Sequence, residues 1–204
     1  MKEEIKNIIF DLGGVLLNID YNRTKKYFEK LGIKDFDRVF TQYKQSNIAD
    51  LFETGKATDE AFFKEVTKGH TISWDDFELA WNAMLLDFPK DRFELLKKLK
   101  TKYRLFLCSN TNSIHLKSFR NEVNKFEERF DDLFEKTYYS HLVGLRKPNT
   151  EIFQLILDEN NLKPSETLFL DDTTIHLEGA NKVGIKTIHV SDVSVKEIFA
   201  DWLN

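Results

Sequence analysis

A short apolar run that stops at an acid and two glycines constrains this chain more than any other feature: Ile5-Lys6-Asn7-Ile8-Ile9-Phe10, then Asp11-Leu12-Gly13-Gly14-Val15-Leu16. A β-branched and aromatic run of this length, bounded by turn residues, predicts a buried strand. Gly13 and Gly14 have no Cβ, so the backbone there can turn sharply and approach a ligand closely. An acid at the carboxyl end of a buried strand stands where open α/β sheets bind ligands. Many strands end in Asp merely to turn, and the rest of the chain has to decide between the two.

After Leu17 the pattern changes. From about residue 18 to 88 no strand-like run occurs, and apolar residues recur at helical spacing. Tyr27, Phe28 and Leu31 form one set and Phe36, Val39, Phe40 and Tyr43 a second. Phe62, Phe63 and Val66 follow, then Phe77, Ala80, Trp81, Met84 and Leu85. Thr58 and Ser73 stand where N-caps are expected. The segment predicts a small helical bundle inserted after the first strand, with its aromatic residues packed in a core.

Beyond Phe88-Pro89, where the residue before proline disfavours helix, helices and strands alternate. A helix with Phe93, Leu95, Leu96 and Leu99 leads to the strand Tyr103-Arg104-Leu105-Phe106-Leu107-Cys108. One long helix is expected to carry Phe119, Val123, Phe126 and Phe130 on a single stripe. An extended stretch at Thr137-Tyr138-Tyr139 precedes a helix that starts near Asn149. The strand Thr167-Leu168-Phe169-Leu170 then leads into a helix through Leu177, Ala180 and Val183, stopped by Gly184. Thr187-Ile188-His189-Val190 is the last strand. Alternating strands and helices mean βα units and a parallel sheet. The fold class is therefore α/β: a Rossmann-like parallel-sheet core at 1–17 and 89–204, with an inserted α-helical cap at 18–88.

Three strands end in chemically capable residues: Asp11, then Ser109-Asn110-Thr111-Asn112, then Asp171-Asp172. In a parallel sheet such ends share one edge. Carboxylates that converge there repel one another unless a cation neutralises them. With oxygen ligands and no His/Cys cluster, that cation is Mg²⁺. Ser109, just before a helix, can help hold an anion, and Lys147 before Pro148 adds a positive charge. Together these groups describe a phosphoryl-transfer site. Each also has a plainer reading: Ser109 as a helix cap, Lys147 as a surface charge, Asp171-Asp172 as a turn. His176 reads as a solvent-facing helix residue, and His141 carries no signal.

Composition removes several alternatives. A net charge of -4 over 204 residues gives no basic footprint for nucleic acid and no polybasic membrane patch. The single cysteine, Cys108, excludes an intrachain disulfide and a cysteine-based zinc site, and its apolar surroundings predict a small buried hydrophobe. No run is long enough for a signal-peptide core or a membrane span. The chain is expected to be cytoplasmic. Its oligomeric state is not encoded in any motif.

Over nearly its whole length the chain resembles the haloacid dehalogenase-like hydrolase superfamily. The resemblance is carried in order by Phe10-Asp11-Leu12-Gly13-Gly14-Val15-Leu16, Leu107-Cys108-Ser109-Asn110, Gly144-Leu145-Arg146-Lys147-Pro148, and Phe169-Leu170-Asp171-Asp172 with Glu178-Gly179-Ala180. The inserted helices look like that superfamily's cap, including Phe52-Glu53-Thr54-Gly55. The resemblance implies that Asp11 is the nucleophile of a phosphatase, forming an aspartyl-phosphate. It implies Mg²⁺ held by Asp11, the Gly13 carbonyl and Asp172, with Asp171 supporting it or ligating through water. Ser109 and Lys147 would bind the transferring phosphoryl group, and Asn110 would help place it; Arg23, at the start of the cap, could reach the substrate or equally be a helix-surface arginine. A two-component receiver domain gathers similar groups, but its acidic pair comes early and no cap interrupts it.

One departure matters. Phosphatases of this superfamily mostly carry a second aspartate two residues after the nucleophile, as general acid and base. Here that position is Gly13. It keeps a carbonyl for the metal but cannot move a proton, an effect worth roughly two to four orders of magnitude. The Asp-Leu-Gly-Gly form, with Asp20-Tyr21-Asn22-Arg23 and the Arg-Lys-Pro run, is similar to a subgroup that includes sugar-1-phosphate phosphatases, whose anomeric leaving group needs protonation less. The expected function is thus Mg²⁺-dependent hydrolysis of a small phosphorylated metabolite, a sugar 1-phosphate among the candidates. Two alternatives stand beside it: a dehalogenase-type C–X hydrolase using Asp11 on carbon, and a phospholigand-binding protein that has lost turnover with the second aspartate.

Overall fold

A computed structural model describes residues 2–38, 47–126, 129–191 and 194–202. Five parallel strands form one sheet in the order β3-β2-β1-β4-β5. They are β1 (Asn7–Phe10), β2 (Arg104–Ser109), β3 (Lys136–Tyr139), β4 (Thr167–Asp171) and β5 (Lys186–His189). Ile9 of β1 pairs in register with Phe106 of β2 on one side and Phe169 of β4 on the other. The central strands are apolar at nearly every position because both sheet faces are covered. Side chains alternate between those faces. Ile8, Phe10, Leu105, Leu107, Leu168 and Leu170 enter one core, with α5 (Lys90–Lys100) and α6 (Ser113–Val123). Ile9, Phe106, Cys108 and Phe169 enter the other, with α8 (Thr150–Asn160) and α9 (Thr174–Asn181), which follow the single turn α7 (Ser140–Val143) after β3. Burial pushes the Cys108 thiol up to about 12, so it is the inert hydrophobe that its neighbours in sequence indicate.

Between β1 and α5 the described chain forms α1 (Tyr21–Lys30), α2 (Asn47–Glu53), α3 (Asp59–Val66) and α4 (Trp74–Asn82) around a core of their own. Thr58 and Ser73 are the caps of α3 and α4, accepting from the amides of Ala61 and Asp76. The aromatic residues are packing groups: Phe52 stacks on Phe62 at 4.3 Å between centroids, and Phe62 meets Trp81 edge-on at 4.8 Å. Val39, Phe40 and Tyr43 lie outside the described residues. The chain enters and leaves this layer through two extended passages that pair antiparallel at Ile19 and Leu85.

The long helix expected from Phe119 to Phe130 is not formed. α6 ends at Val123, and Phe130 opens a separate turn of 3₁₀ helix, Phe130–Leu133. The rings still meet, Phe119 and Phe130 at 4.9 Å and Phe88 and Phe126 at 5.8 Å. Helical spacing records which residues share a core, and here Phe119 and Phe130 share it from two separate helical segments.

A buried polar triad joins α4 to α6. The Asn112 Oδ1 caps α6 by accepting from the His115 amide at 3.0 Å and also accepts from Trp81 Nε1 at 3.3 Å. His115 donates from Nε2 to the Trp81 carbonyl at 3.1 Å and accepts at Nδ1 from Asn112 Nδ2 at 3.2 Å, with its ring stacked on Trp81. Both imidazole nitrogens are satisfied only in the neutral form, and burial lowers the His115 pKa to about 4. An unfolded chain takes up this proton near pH 6.5, the folded one only near 4. The contribution is therefore complete above pH 6.5 and is lost as pH falls from there, by about 3 kcal/mol in all. Urea titrations at pH 7.5 and 5 are expected to show a loss of stability that His115→Gln largely abolishes.

Candidate active site

The sheet order seats β1 between β2 and β4, with β2 and β3 wound to one side and β4 and β5 to the other. The carboxyl ends of β1 and β4 thus meet at a topological switch point, where such sheets bind ligands. Asp11 extends the ladder, its amide donating to the Leu170 carbonyl at 2.9 Å. Asp11, Asp171 and Asp172 each bring one carboxylate oxygen within 4.8 Å of the others.

Lys147 is 0% exposed and reaches into this cluster from the loop before α8. Its Nζ lies 2.7 Å from Asp11 Oδ1 and 2.6 Å from Asp171 Oδ2, with the Phe169 ring beneath it at 5.3 Å. Asn110 fixes the Lys147 backbone at both ends: its Oδ1 accepts from the Lys147 amide and its Nδ2 donates to the Lys147 carbonyl, each at 2.9 Å. The Asn110 amide is thus turned to the lysine. Ser109, at the end of β2, is buried and lines the same cavity of about 90 Å³.

Burial and the neighbouring Asp171 raise the Asp11 pKa well above the carboxylate range, against the pull of Lys147. Burial and Asp171 likewise raise that of Asp172. Burial works the same way on Asp171, yet Lys147 and His176 outweigh it and hold Asp171 below the usual value. Burial also opposes the charge on Lys147, but Asp11 and Asp171 prevail and keep it an ammonium. Three carboxyl groups crowd one ammonium at a site of hard oxygen donors, and the raised values of Asp11 and Asp172 record charge that the ammonium alone does not balance. That donor set fits a divalent cation such as Mg²⁺. Close approach requires the second glycine: Gly14 has φ +76°, and a Cβ on it would lie 2.3 Å from Asp172 Oδ2. Gly13 borders the cavity, and a Cβ there would stand 3.3 Å from a methyl of Ile19.

The structure brings together Asp11, Gly13, Ser109, Asn110, Lys147, Asp171 and Asp172. Arg23 is not among them; it is exposed on α1 and does not line the cavity. His176 is a correction to the solvent-facing assignment: its Nδ1 sits 3.0 Å from Asp171 Oδ1, and it borders the cavity. The first turn of α9 folds it back over β4, a contact that helical periodicity does not encode. Tyr21, Glu53 and Arg146 also line the cavity. Glu53 and Arg146 fall inside the quoted motifs, but nothing in their spacing shows that they pair.

The family model of the haloacid dehalogenase-like hydrolases matches residues 5–184. The chain belongs to that family. The D-ribitol-5-phosphate phosphatase of Bacteroides thetaiotaomicron is 30% identical over 201 residues, covering 97% of this chain and 95% of that protein. A HAD family enzyme of Bacteroides thetaiotaomicron, solved as an aspartate-to-alanine variant with magnesium and inorganic phosphate, superposes with a TM-score of 0.90 at 34% identity, over 96% of this chain and 98% of that one. A HAD-like hydrolase from Porphyromonas gingivalis gives 0.87 at 28% identity, over 98% of both chains. No helix among the described residues is long and apolar enough to cross a membrane.

Proposed function

We propose that this HAD-like phosphatase uses Mg²⁺ to hydrolyse the phosphate ester of a small sugar or polyol, through an aspartyl-phosphate on Asp11. The observation that carries this reading is the buried lysine bridging Asp11 and Asp171 beside Asp172, in a chain related to a ribitol phosphate phosphatase. Asp11 Oδ1 accepts from Lys147 and from the Leu12 amide at 2.7 Å each, which orients the carboxylate for attack through Oδ2. Oδ2 forms a bond to phosphorus as the ester P–O bond breaks, and the leaving alkoxide takes its proton from solvent. Water then attacks the same phosphorus as the bond to Oδ2 breaks, giving a proton to solvent, releasing inorganic phosphate and restoring the carboxylate. Ser109 and Lys147 hold the phosphoryl oxygens, and Asn110 positions Lys147. Asp11, the Gly13 carbonyl and Asp172 would hold Mg²⁺, with Asp171 behind them. When bound, the ion neutralises charge on the phosphoryl group. The helices of 18–88 act as the cap, supplying Tyr21 and Glu53 to the cavity.

Gly13 offers no proton shuttle, and Ile19 fills the adjoining space. That favours esters with acidic leaving groups, such as sugar 1-phosphates. The relative's substrate is a polyol 5-phosphate, and both classes belong in the test. A phosphate-release panel of hexose 1- and 6-phosphates, ribitol 5-phosphate, nucleotides and an aryl phosphate is expected to show release from sugar or polyol esters that EDTA abolishes and Mg²⁺ restores. Dehalogenation that survives EDTA would favour attack on carbon. Phosphate binding with no release from any ester would favour the ligand-binding alternative, which the missing aspartate keeps open.

A further inference from the structure

We propose that Arg146, Glu53 and Asp50 set the substrate class of this site, admitting neutral hydroxylated phosphate esters and rejecting esters that carry a second anionic group. The inference rests on the phosphatase reading above and adds to it the residues that choose among esters. Arg146 precedes Lys147 and lines the same cavity. α2 brings two carboxylates to it: Glu53 Oε2 lies 2.9 Å from Arg146 Nη2, and Asp50 accepts from Nη1. Glu53 is 5% exposed, and both it and Arg146 line the cavity. An arginine next to a phosphate site ordinarily attracts a further anion. Here Glu53 and Asp50 share the guanidinium between them, so its charge is already balanced and the carboxylate facing the cavity is that of Glu53.

A substrate carboxylate or second phosphate would meet Glu53 in a poorly solvated space, where like charges repel strongly. A hydroxyl is suited to the same wall, because it donates to the Glu53 carboxylate and accepts from a guanidinium N–H. Arg146 keeps a buried Nε–H that no described residue accepts. Donor and acceptor side by side suit a polyol chain.

Glu53→Gln keeps the shape of the wall, removes its negative charge and leaves Arg146 with Asp50 alone. The measurement is kcat/KM for ribitol 5-phosphate, for 3-phosphoglycerate as the acidic ester, and for p-nitrophenyl phosphate, with thermal melting to verify folding. The wild type is expected to favour the neutral polyol ester over the acidic one by about 100-fold. Glu53→Gln should cut that ratio at least tenfold, chiefly through KM, with an absolute gain on the acidic ester. Asp50→Asn, at the half-exposed partner, should move the ratio the same way by less, and serves if Glu53→Gln fails to fold. Equal wild-type rates on both esters, or variants that lower both esters in proportion, would overturn the assignment and leave the cluster a simple clasp between helix and loop. Wild-type phosphate release from any of these three esters tests the phosphatase reading by itself. Release from none of them would overturn that reading, and this one with it.

Discussion

Asp11→Asn is expected to lower phosphate release by at least about 10⁴-fold and to leave the protein more stable than the wild type. The activity loss follows from removing the nucleophile, since an amide oxygen does not form the acyl phosphate. The stability gain follows from the electrostatics. Burial raises the pKa of Asp11, and Asp171 and Asp172 raise it further, against the pull of Lys147. A carboxyl whose folded pKa is raised costs stability when ionised, fully at pH values above the folded pKa and not at all below the unfolded one. Asparagine keeps the Oδ1 that accepts from Lys147 and from the Leu12 amide, and it removes the charge. Lys147 retains Asp171 at 2.6 Å. The variant's Tm should therefore exceed that of the wild type at pH 7 in EDTA. The gap should narrow toward pH 4, and also on adding Mg²⁺, which relieves the same repulsion in the wild type. Calorimetry in both buffers measures this. Full turnover, or a Tm several degrees lower at pH 7 in EDTA, would remove Asp11 from the centre of the site.

The parts of this molecule that were legible in the sequence share one physical property: each is fixed by local pattern. The three central strands stand out because a parallel sheet buried on both faces needs nearly unbroken apolar runs. Asp11, Ser109 and Asp171-Asp172 stand out because they end those runs, and strand ends converge whatever the helices do. What was not legible depends on tertiary neighbours. His176 sits on the solvent side by helical period, yet the turn after β4 folds it onto Asp171. Arg23 and Tyr21 share the first turn of α1, but only Tyr21 reaches the cavity. The Glu53–Arg146 pair and the Trp81–Asn112–His115 triad join residues far apart in the chain, and no spacing announces either. Phe130 shows the limit from the other side: its period matched α6, but that helix ends at Val123.

Lys147→Met should be the most destabilising single change in the site, by roughly 3–5 kcal/mol, because it strands buried carboxylates. Lys147 is enclosed completely, with its ammonium bridging Asp11 and Asp171. Methionine fills much of the same volume, so the cost is electrostatic and not that of a cavity. For a chain of this length the loss corresponds to a fall in Tm of about 10 °C. Two further measurements tie it to the carboxylates. In the Asp11→Asn background the same substitution should cost about 1–2 kcal/mol less, because one stranded charge is already gone, and this coupling is read from a double-mutant cycle in urea. Mg²⁺ should stabilise Lys147→Met more than the wild type, because the ion then supplies the only positive charge in the cluster. Phosphate release should fall with it, as the variant has lost the group that holds the phosphoryl oxygens. If Lys147→Met proved as stable as the wild type in EDTA, the carboxylates would have to be protonated in the resting protein. Asp11 would then need its proton removed before it could attack phosphorus, and activity would rise with pH through the pKa of the cluster.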